Sequence, residues 1–487
     1  MIRLSTWRLL CPALLISLGG TFHYGYQLMV MNPSEQAFRD FINSSYQAHF
    51  SVYLTSSQWN YLWPTVVNMQ AIGGLIGTCF VRYLSETWGR KPCFYLTNSM
   101  AIFACLIQGI SKIANSWELL TIGRFLSGVM QGLNQGFQPV YLNEISSKSK
   151  RGLLGSMTGL LLEFGFLLSS VLALPLILGS GRKWPYLFLV EAIPSVLTLM
   201  TLPYLPESPK FLASRGKYTE AAQAFRSLGR TEEDIKQELE EIRQEIDDKC
   251  GEQGNETMSL QMLFSMPYIR KGLLLGWLVI FSSVYSGITA LSYFSTTILT
   301  SSGVSEEDAQ YSAIGMSSLA FLGVFVACFA LDYLGRRPLI LGAFGLMLLW
   351  NILFILFSNL SRVHAILWTS YANIAVGAMI YLTFGGGLSS AVWSLTAELM
   401  PQRARSTAHT LAMGVQWIAS ATASLIFYPL EEAVNEFCFL LHIIPLSVAL
   451  VCLAIWLPET KNRSTNQILR KLGYDRPDEG NYSVEKF

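Results

Sequence analysis

Three ionisable residues, His23, Glu163 and Glu191, stand inside stretches that are otherwise apolar. A charge at the centre of a bilayer costs about 2.5–3.5 kcal/mol on insertion scales, so such groups face a cavity or a partner and mark solute pathways or proton relays. Glu163 lies twelve residues beyond Arg151, about 18 Å along a helix, which is close to the midplane of a hydrocarbon core about 30 Å thick. Gln135 and Gln416 stand in other apolar stretches, and His23 precedes Gln27 by one turn. Glu163 with Gln135 and Gln416 makes a candidate polar centre whose chemistry is hydrogen bonding to a solute or proton transfer. Bond-making chemistry has no support: no nucleophile–base constellation, metal-ligand cluster or phosphate loop occurs, so neither an enzyme nor a cofactor nor a metal is expected.

A second concentration of features is Thr383–Arg405. An apolar helix is interrupted by Gly385, Gly386 and Gly387, then carries Trp393 and ends in Glu398 and Arg405. Each glycine costs a helix about 1 kcal/mol against alanine, so the helix is weak here or another backbone comes close.

The elements that must position these residues are membrane helices. Of 487 residues 51% are hydrophobic and 14% charged, whereas a soluble domain is nearer 25% charged. Twelve apolar stretches are long enough to span, near 9–31, 58–80, 92–113, 118–142, 152–178, 184–205, 270–300, 307–331, 338–358, 365–396, 406–428 and 434–457. Lys and Arg concentrate in alternate short loops (Arg82, Arg90, Lys91, Lys148, Lys150, Arg151, Arg336, Arg337, Arg403, Arg405), which places both termini in the cytoplasm by the positive-inside rule. Asn43 then heads a glycosylation sequon in the first outer loop, while the sequon at Asn255 falls inside and is expected to stay unused. The net charge of +1 gives no reason to expect nucleic acid, and eight scattered cysteines without a CxxC predict no disulfide framework. Between the sixth and seventh spans a polar linker carries Ile235, Leu239, Ile242 and Ile246 at helical spacing, a stripe suited to lie on the inner face of the membrane domain.

Three motifs occur twice, about 250 residues apart. Gly89-Arg90-Lys91-Pro92 pairs with Gly335-Arg336-Arg337-Pro338; Glu144 and Arg151 pair with Glu398 and Arg405; Leu205-Pro206-Glu207 pairs with Leu457-Pro458-Glu459. The chain therefore divides into a six-helix half (1–205), a linker (206–268), a second six-helix half (269–458) and a tail (459–487). An internally repeated bundle is the mark of an alternating-access transporter with its solute site between the halves. The repeated acids and bases sit at helix ends, where pairs worth about 0–1 kcal/mol each can form and break.

These motifs resemble the sugar porter family of the major facilitator superfamily, and within it the animal facilitative hexose transporters. Gly123-Arg124-Phe125-Leu126-Ser127-Gly128, Tyr141-Leu142-Asn143-Glu144, Pro206-Glu207-Ser208-Pro209 and Pro458-Glu459-Thr460-Lys461 carry the likeness along nearly the whole chain. It implies an all-α fold of twelve transmembrane helices in two pseudo-symmetric halves, a plasma-membrane location and a small sugar as substrate. It also implies an inner gate of Arg90, Arg124, Glu144, Arg151, Glu207, Arg336, Arg337, Glu398, Arg405 and Glu459. Trp393 matches the family's site tryptophan, and Tyr293 with Phe294 its extracellular aromatic gate. Much of the polar sugar site is replaced: Ser283 and Val284 stand for a Gln pair, Thr289, Ala320 and Ser420 for Asn, Gly159 for Gln and Gly385 for Glu. Trp393, Thr289, Ser283, Tyr293, Glu163, Gln416, Gln135 and Gln27 are the candidate substrate contacts. Proton-linked relatives carry Asp after the first-span Tyr; here Gln27 follows Tyr26 and cannot titrate, which favours uniport. Hexose facilitation leads, with another small solute (urate or a polyol), proton symport and a non-transporting sensor as alternatives.

Overall fold

Every one of the twelve apolar stretches is occupied by a helix or by two helices end to end. The structure is a computed structural model that describes residues 4–146, 151–251, 260–364, 367–389, 391–461, 463 and 465–473. Among them, eight helical stretches are long and apolar enough to cross a membrane, two of which, Pro267–Ser301 and Thr407–Trp456, run through consecutive α-helices. Large apolar side chains such as Phe103, Ile193, Leu356 and Ile455 are exposed on the outside, as a lipid-facing surface requires.

The first set comprises α1 (Leu4–Leu18), α2 (Thr21–Met29), α3 (Glu35–Phe50), α4 (Ser56–Trp88), α5 (Arg90–Ile110), α6 (Trp117–Ile145), α7 (Arg151–Leu172) and α8 (Pro185–Thr201). α4 starts at a capping box in which the Thr55 hydroxyl accepts from the Gln58 amide and the Gln58 side chain accepts from the Thr55 amide. α4 and α6 run backbone to backbone. A Cβ on Gly128 would lie 2.0 Å from the Gln70 carbonyl and one on Gly73 2.1 Å from that of Phe125, so small residues on both faces set the spacing.

After the linker helices α9 (Pro209–Ser214), α10 (Tyr218–Ser227), α11 (Glu232–Gly251) and α12 (Leu260–Ser265) comes the second set. It holds α13 (Pro267–Val284), α14 (Ile288–Ser301), α15 (Glu306–Leu334), α16 (Arg336–His364), α17 (Leu367–Thr383), α18 (Ala391–Glu398), α19 (Gln402–Val434) and α20 (Leu440–Trp456), with α21 (Thr465–Lys471) following. α4 packs on α19 and α7 on α15, joining the two sets along a central seam. The described part of the linker stripe packs on other linker helices, and the side chain of Ile246 lies outside the described set. Ile235 and Ile242 are buried against Ala213, Ala221 and Phe225, because α9 and α10 supply an apolar partner nearer in the chain.

The glycine triplet forms one π-helical turn, Phe384–Leu388, between α17 and α18. A Cβ on Gly385 would stand 2.3 Å from the Ala320 carbonyl. The glycine at the position expected to carry Glu thus lies against the backbone of Ala320, and the missing side chain lets this turn close onto α15.

Candidate functional site

Buried polar groups of the first set form one connected chain. Glu191 on α8 accepts from Gln27 Nε2 (2.6 Å) and lies 3.2 Å from His23 Nδ1, and Ser195 Oγ is 2.7 Å from His23 Nε2. Arg124, fully buried on α6, donates to the Gln27 backbone and side-chain oxygens, each at 2.8 Å, and to the Val67 carbonyl at 2.8 Å. Gln27 is therefore committed to a structural network and is not free for solute. Arg124 also leaves the inner gate, as a correction. It stands twenty residues from Glu144 on the same helix, about 30 Å away, and its length and burial commit it to carbonyls of α2 and α4.

The central seam holds the other candidates. Gln416 donates to the Tyr24 hydroxyl at 3.0 Å, and Trp417, fully buried, meets Tyr24 edge-on with ring centres 5.4 Å apart. Trp417 rests on Gly74, where a Cβ would come within 2.4 Å of the indole. Tyr293 is buried beside Ser420, and the backbone of Gln135 meets the ring of His409 across the seam. Glu163, 1% exposed, is in electrostatic range of Tyr381, whose hydroxyl donates to Ser292 Oγ at 3.2 Å. The side-chain oxygens Glu163 Oε1, Gln135 Oε1 and Gln416 Oε1 are enclosed without a protein partner, and enclosed acceptors without donors are costly. Ser283 and Thr289 are spent locally: their hydroxyls donate to the carbonyls of Ile280 and Val284. The side chains of Trp393 and Arg151 lie outside the described set, as does Asn255.

At the end carrying the repeated motifs the duplication holds residue by residue, though not in the detail of each contact. Arg90 forks onto Glu144 at 2.9 and 2.7 Å, and Arg336 lies 3.4 Å from Glu398. Among the described residues, Glu207 and Glu459 form no ion pair with a guanidinium. Glu207 accepts from the backbone N–H of Arg90, Lys91 and Ser208, and Glu459 from those of Arg336, Arg337, Thr460 and Lys461. Each acid thus neutralises the positive start of a helix, entered through Gly89 (φ 95°) or Gly335 (φ 81°). Burial pushes the Glu207 carboxyl up against these bonds, whereas in Glu459 they outweigh burial and hold it below the usual range. Arg337 instead donates to the Ala454 carbonyl at 2.6 Å, and Arg405 sits half-buried in the first turn of α19.

The opposite end is closed by bonds between the sets. Asn32 donates to the Leu291 and Ser292 carbonyls and Ser295 Oγ, and accepts from the Thr296 amide. Trp59 donates to the Tyr428 hydroxyl, and Thr297 to Glu35 at 2.5 Å. Phe294 stacks on Phe427 with planes 3° apart, so the Tyr293–Phe294 pair is packed inside this closure. Asn43 lies on α3 with Oδ1 enclosed, and its sequon partner Ser45 is buried, bonded to the Asn115 carbonyl.

Residues 12–472 match the model of the family described as Sugar (and other) transporter. The chain belongs to the sugar transporter family. It is 31% identical to "Solute carrier family 2, facilitated glucose transporter member 9" of Homo sapiens over 463 residues, covering 94% of this chain and 84% of the relative. Member 5 of Ovis aries is 30% identical over 463 residues, covering 94% and 91%. The xylose transporter XylE from E. coli, in an inward open conformation, superposes with a TM-score of 0.75 at 20% identity, covering 94% of this chain and 99% of the other; its complex with 6-bromo-6-deoxy-D-glucose gives 0.77 at 21%, covering 95% and 99%. This sugar transporter homologue has the major facilitator fold, and it is a membrane transporter rather than an enzyme. Sequence reasoning missed Trp417, Tyr24, Tyr381 and Asn32. For Asn32 a signal existed, an amide ahead of Pro33 at the end of the first span. Trp417 offered one only through the residue facing it, Gly74.

Proposed function

We propose that this chain is a facilitative plasma-membrane transporter of hexoses, glucose or fructose, working as a uniporter by rocking its halves (1–205 and 269–458) about the central seam. The observation that carries this reading is the asymmetry of the two ends among the described residues: bonds between the sets close one end, while the ion pairs Arg90–Glu144 and Arg336–Glu398 at the other each stay within one set. That is the arrangement of one state of alternating access, open toward the cytoplasm if the motif end lies inside. The unpaired acceptors of the seam await the donors that sugar hydroxyls bring.

The test is uptake of a sugar panel by proteoliposomes. Saturable glucose or fructose entry above empty liposomes, accelerated by the same sugar on the far side, is expected; no hexose uptake refutes the reading. The buried His23–Glu191 contact favours proton symport as a second reading, and an inward proton gradient that drives sugar accumulation would establish it over uniport.

A further inference from the structure

We propose that the central site prefers an amino sugar to the parent hexose, with Glu163 receiving the ammonium group. This deepens the hexose reading and rests on it. The carboxyl of Glu163 is 1% exposed, Oε1 has no hydrogen-bond partner, and no Lys, Arg or His pairs with it among the described residues. Every other buried acid described above is engaged: Glu191 by His23 and Gln27, Glu207 by backbone amides. A carboxyl left alone in a membrane interior is costly to keep unless a ligand completes it.

Its position fits a ligand contact. α7 faces the second set through this stretch, with Phe164 against Phe321 at 6.3 Å and Phe166 edge-on to Tyr381 at 6.4 Å. One turn away, a Cβ on Gly159 would meet nothing nearer than Val324 at 3.7 Å and Ser389 at 4.0 Å. The position that lacks the family's Gln side chain therefore lies at ordinary contact distance from the second set, one turn from the unpaired acid. Gln135 and Gln416 add two more enclosed oxygens that accept hydrogen bonds. Glu163 Oε1 lacks a donor, and a pyranose bearing –NH3+ offers it a charged one where –OH at the same carbon offers a neutral one. A charged donor on a carboxylate forms a bond roughly twice as strong as a neutral one, which at about 1.5–3 against 0.5–1.5 kcal/mol corresponds to roughly a five- to tenfold preference.

The experiment is competitive uptake into proteoliposomes of the full chain at zero membrane potential and neutral pH, using D-glucosamine, D-glucose and N-acetyl-D-glucosamine. The last has the same ring with its amine neutralised. A glucosamine-to-glucose ratio of five or more, with N-acetylglucosamine below both, is expected. In Glu163→Gln the ratio should fall to about one, whatever the absolute rates. Glucose entry with a wild-type ratio of one or less overturns the proposal, and so does a high ratio that survives in Glu163→Gln. If Glu163→Gln does not fold, thermal shifts of the wild type decide: glucosamine must stabilise it at lower concentration than N-acetylglucosamine, and equal or weaker stabilisation overturns the assignment. Failure of every hexose to enter is a different result, and it removes the hexose reading itself.

Discussion

Acidifying the outer side should drive the proposed outer gate shut, through Glu35. This residue starts α3, outside the membrane spans, and is partly buried where Thr297 donates to its carboxyl across the two sets. Burial pushes its pKa up from 4.5 to about 7, opposed by the bonds from Thr297 and Tyr428 and by Arg39, and reinforced by Glu431. Arg39 lies over Trp59, and Glu432 bonds Asn60 nearby, so the charged groups around Glu35 are Arg39, Glu431 and Glu432. If opening restores water and an ordinary value, protonation favours closure fully below about 4.5, and that contribution is lost as pH rises through about 7. Between pH 7.5 and 5.5 the closed-to-open ratio then rises about 20-fold, or about 1.8 kcal/mol at 1.36 kcal/mol per pKa unit. Spin labels on Gln36 and Val434, in a background without native cysteines, would report the two populations as two distances. Glu35→Gln should hold the gate mostly closed and flatten the pH dependence. A wild-type distance distribution indifferent to pH, or the same pH response in Glu35→Gln, refutes the argument.

Asn32→Ala removes four bonds between the sets and should shift the same label pair toward the open distance by about 2–4 kcal/mol. Glu191→Ala leaves His23 and Gln27 buried without their acceptor and should cost about 3–5 kcal/mol, read as a fall in melting temperature in detergent. Gly74→Ala places a methyl 2.4 Å from the Trp417 ring; the forced shift should cost about 1–3 kcal/mol and depress uptake more than Gly414→Ala, whose Cβ meets only Leu75 at 3.9 Å.

The fold was legible because its determinants are repeated and local. Span length follows from apolar runs, and the twin motifs at Gly89 and Gly335 are needed to turn the chain and seat an acid on a helix start. What stayed hidden depends on which side of a helix meets another. Arg124 reads as a gate residue by its motif, yet seven residues of helix separate it from the end opposite the gate, where Gln27 meets it. The contacts of Glu207 and Glu459 were hidden for a similar reason: in sequence an acid near an arginine suggests an ion pair, while the backbone amides that hold it leave no trace in residue type. Gly385 shows the converse, an apparent loss that is a close contact with the α15 backbone at Ala320.

The attachment of the linker helices makes the halves unequal in mass. Arg215 bonds the Glu86 and Thr87 carbonyls and Arg230 the Ile145 carbonyl, fastening α9–α11 to the ends of α4 and α6. In a rocking cycle this assembly behaves as a stator and the second set as the rotor. A reporter fused into the linker therefore travels with the first half, and pairing it with one at the start of α16 would read the angle of the stroke directly.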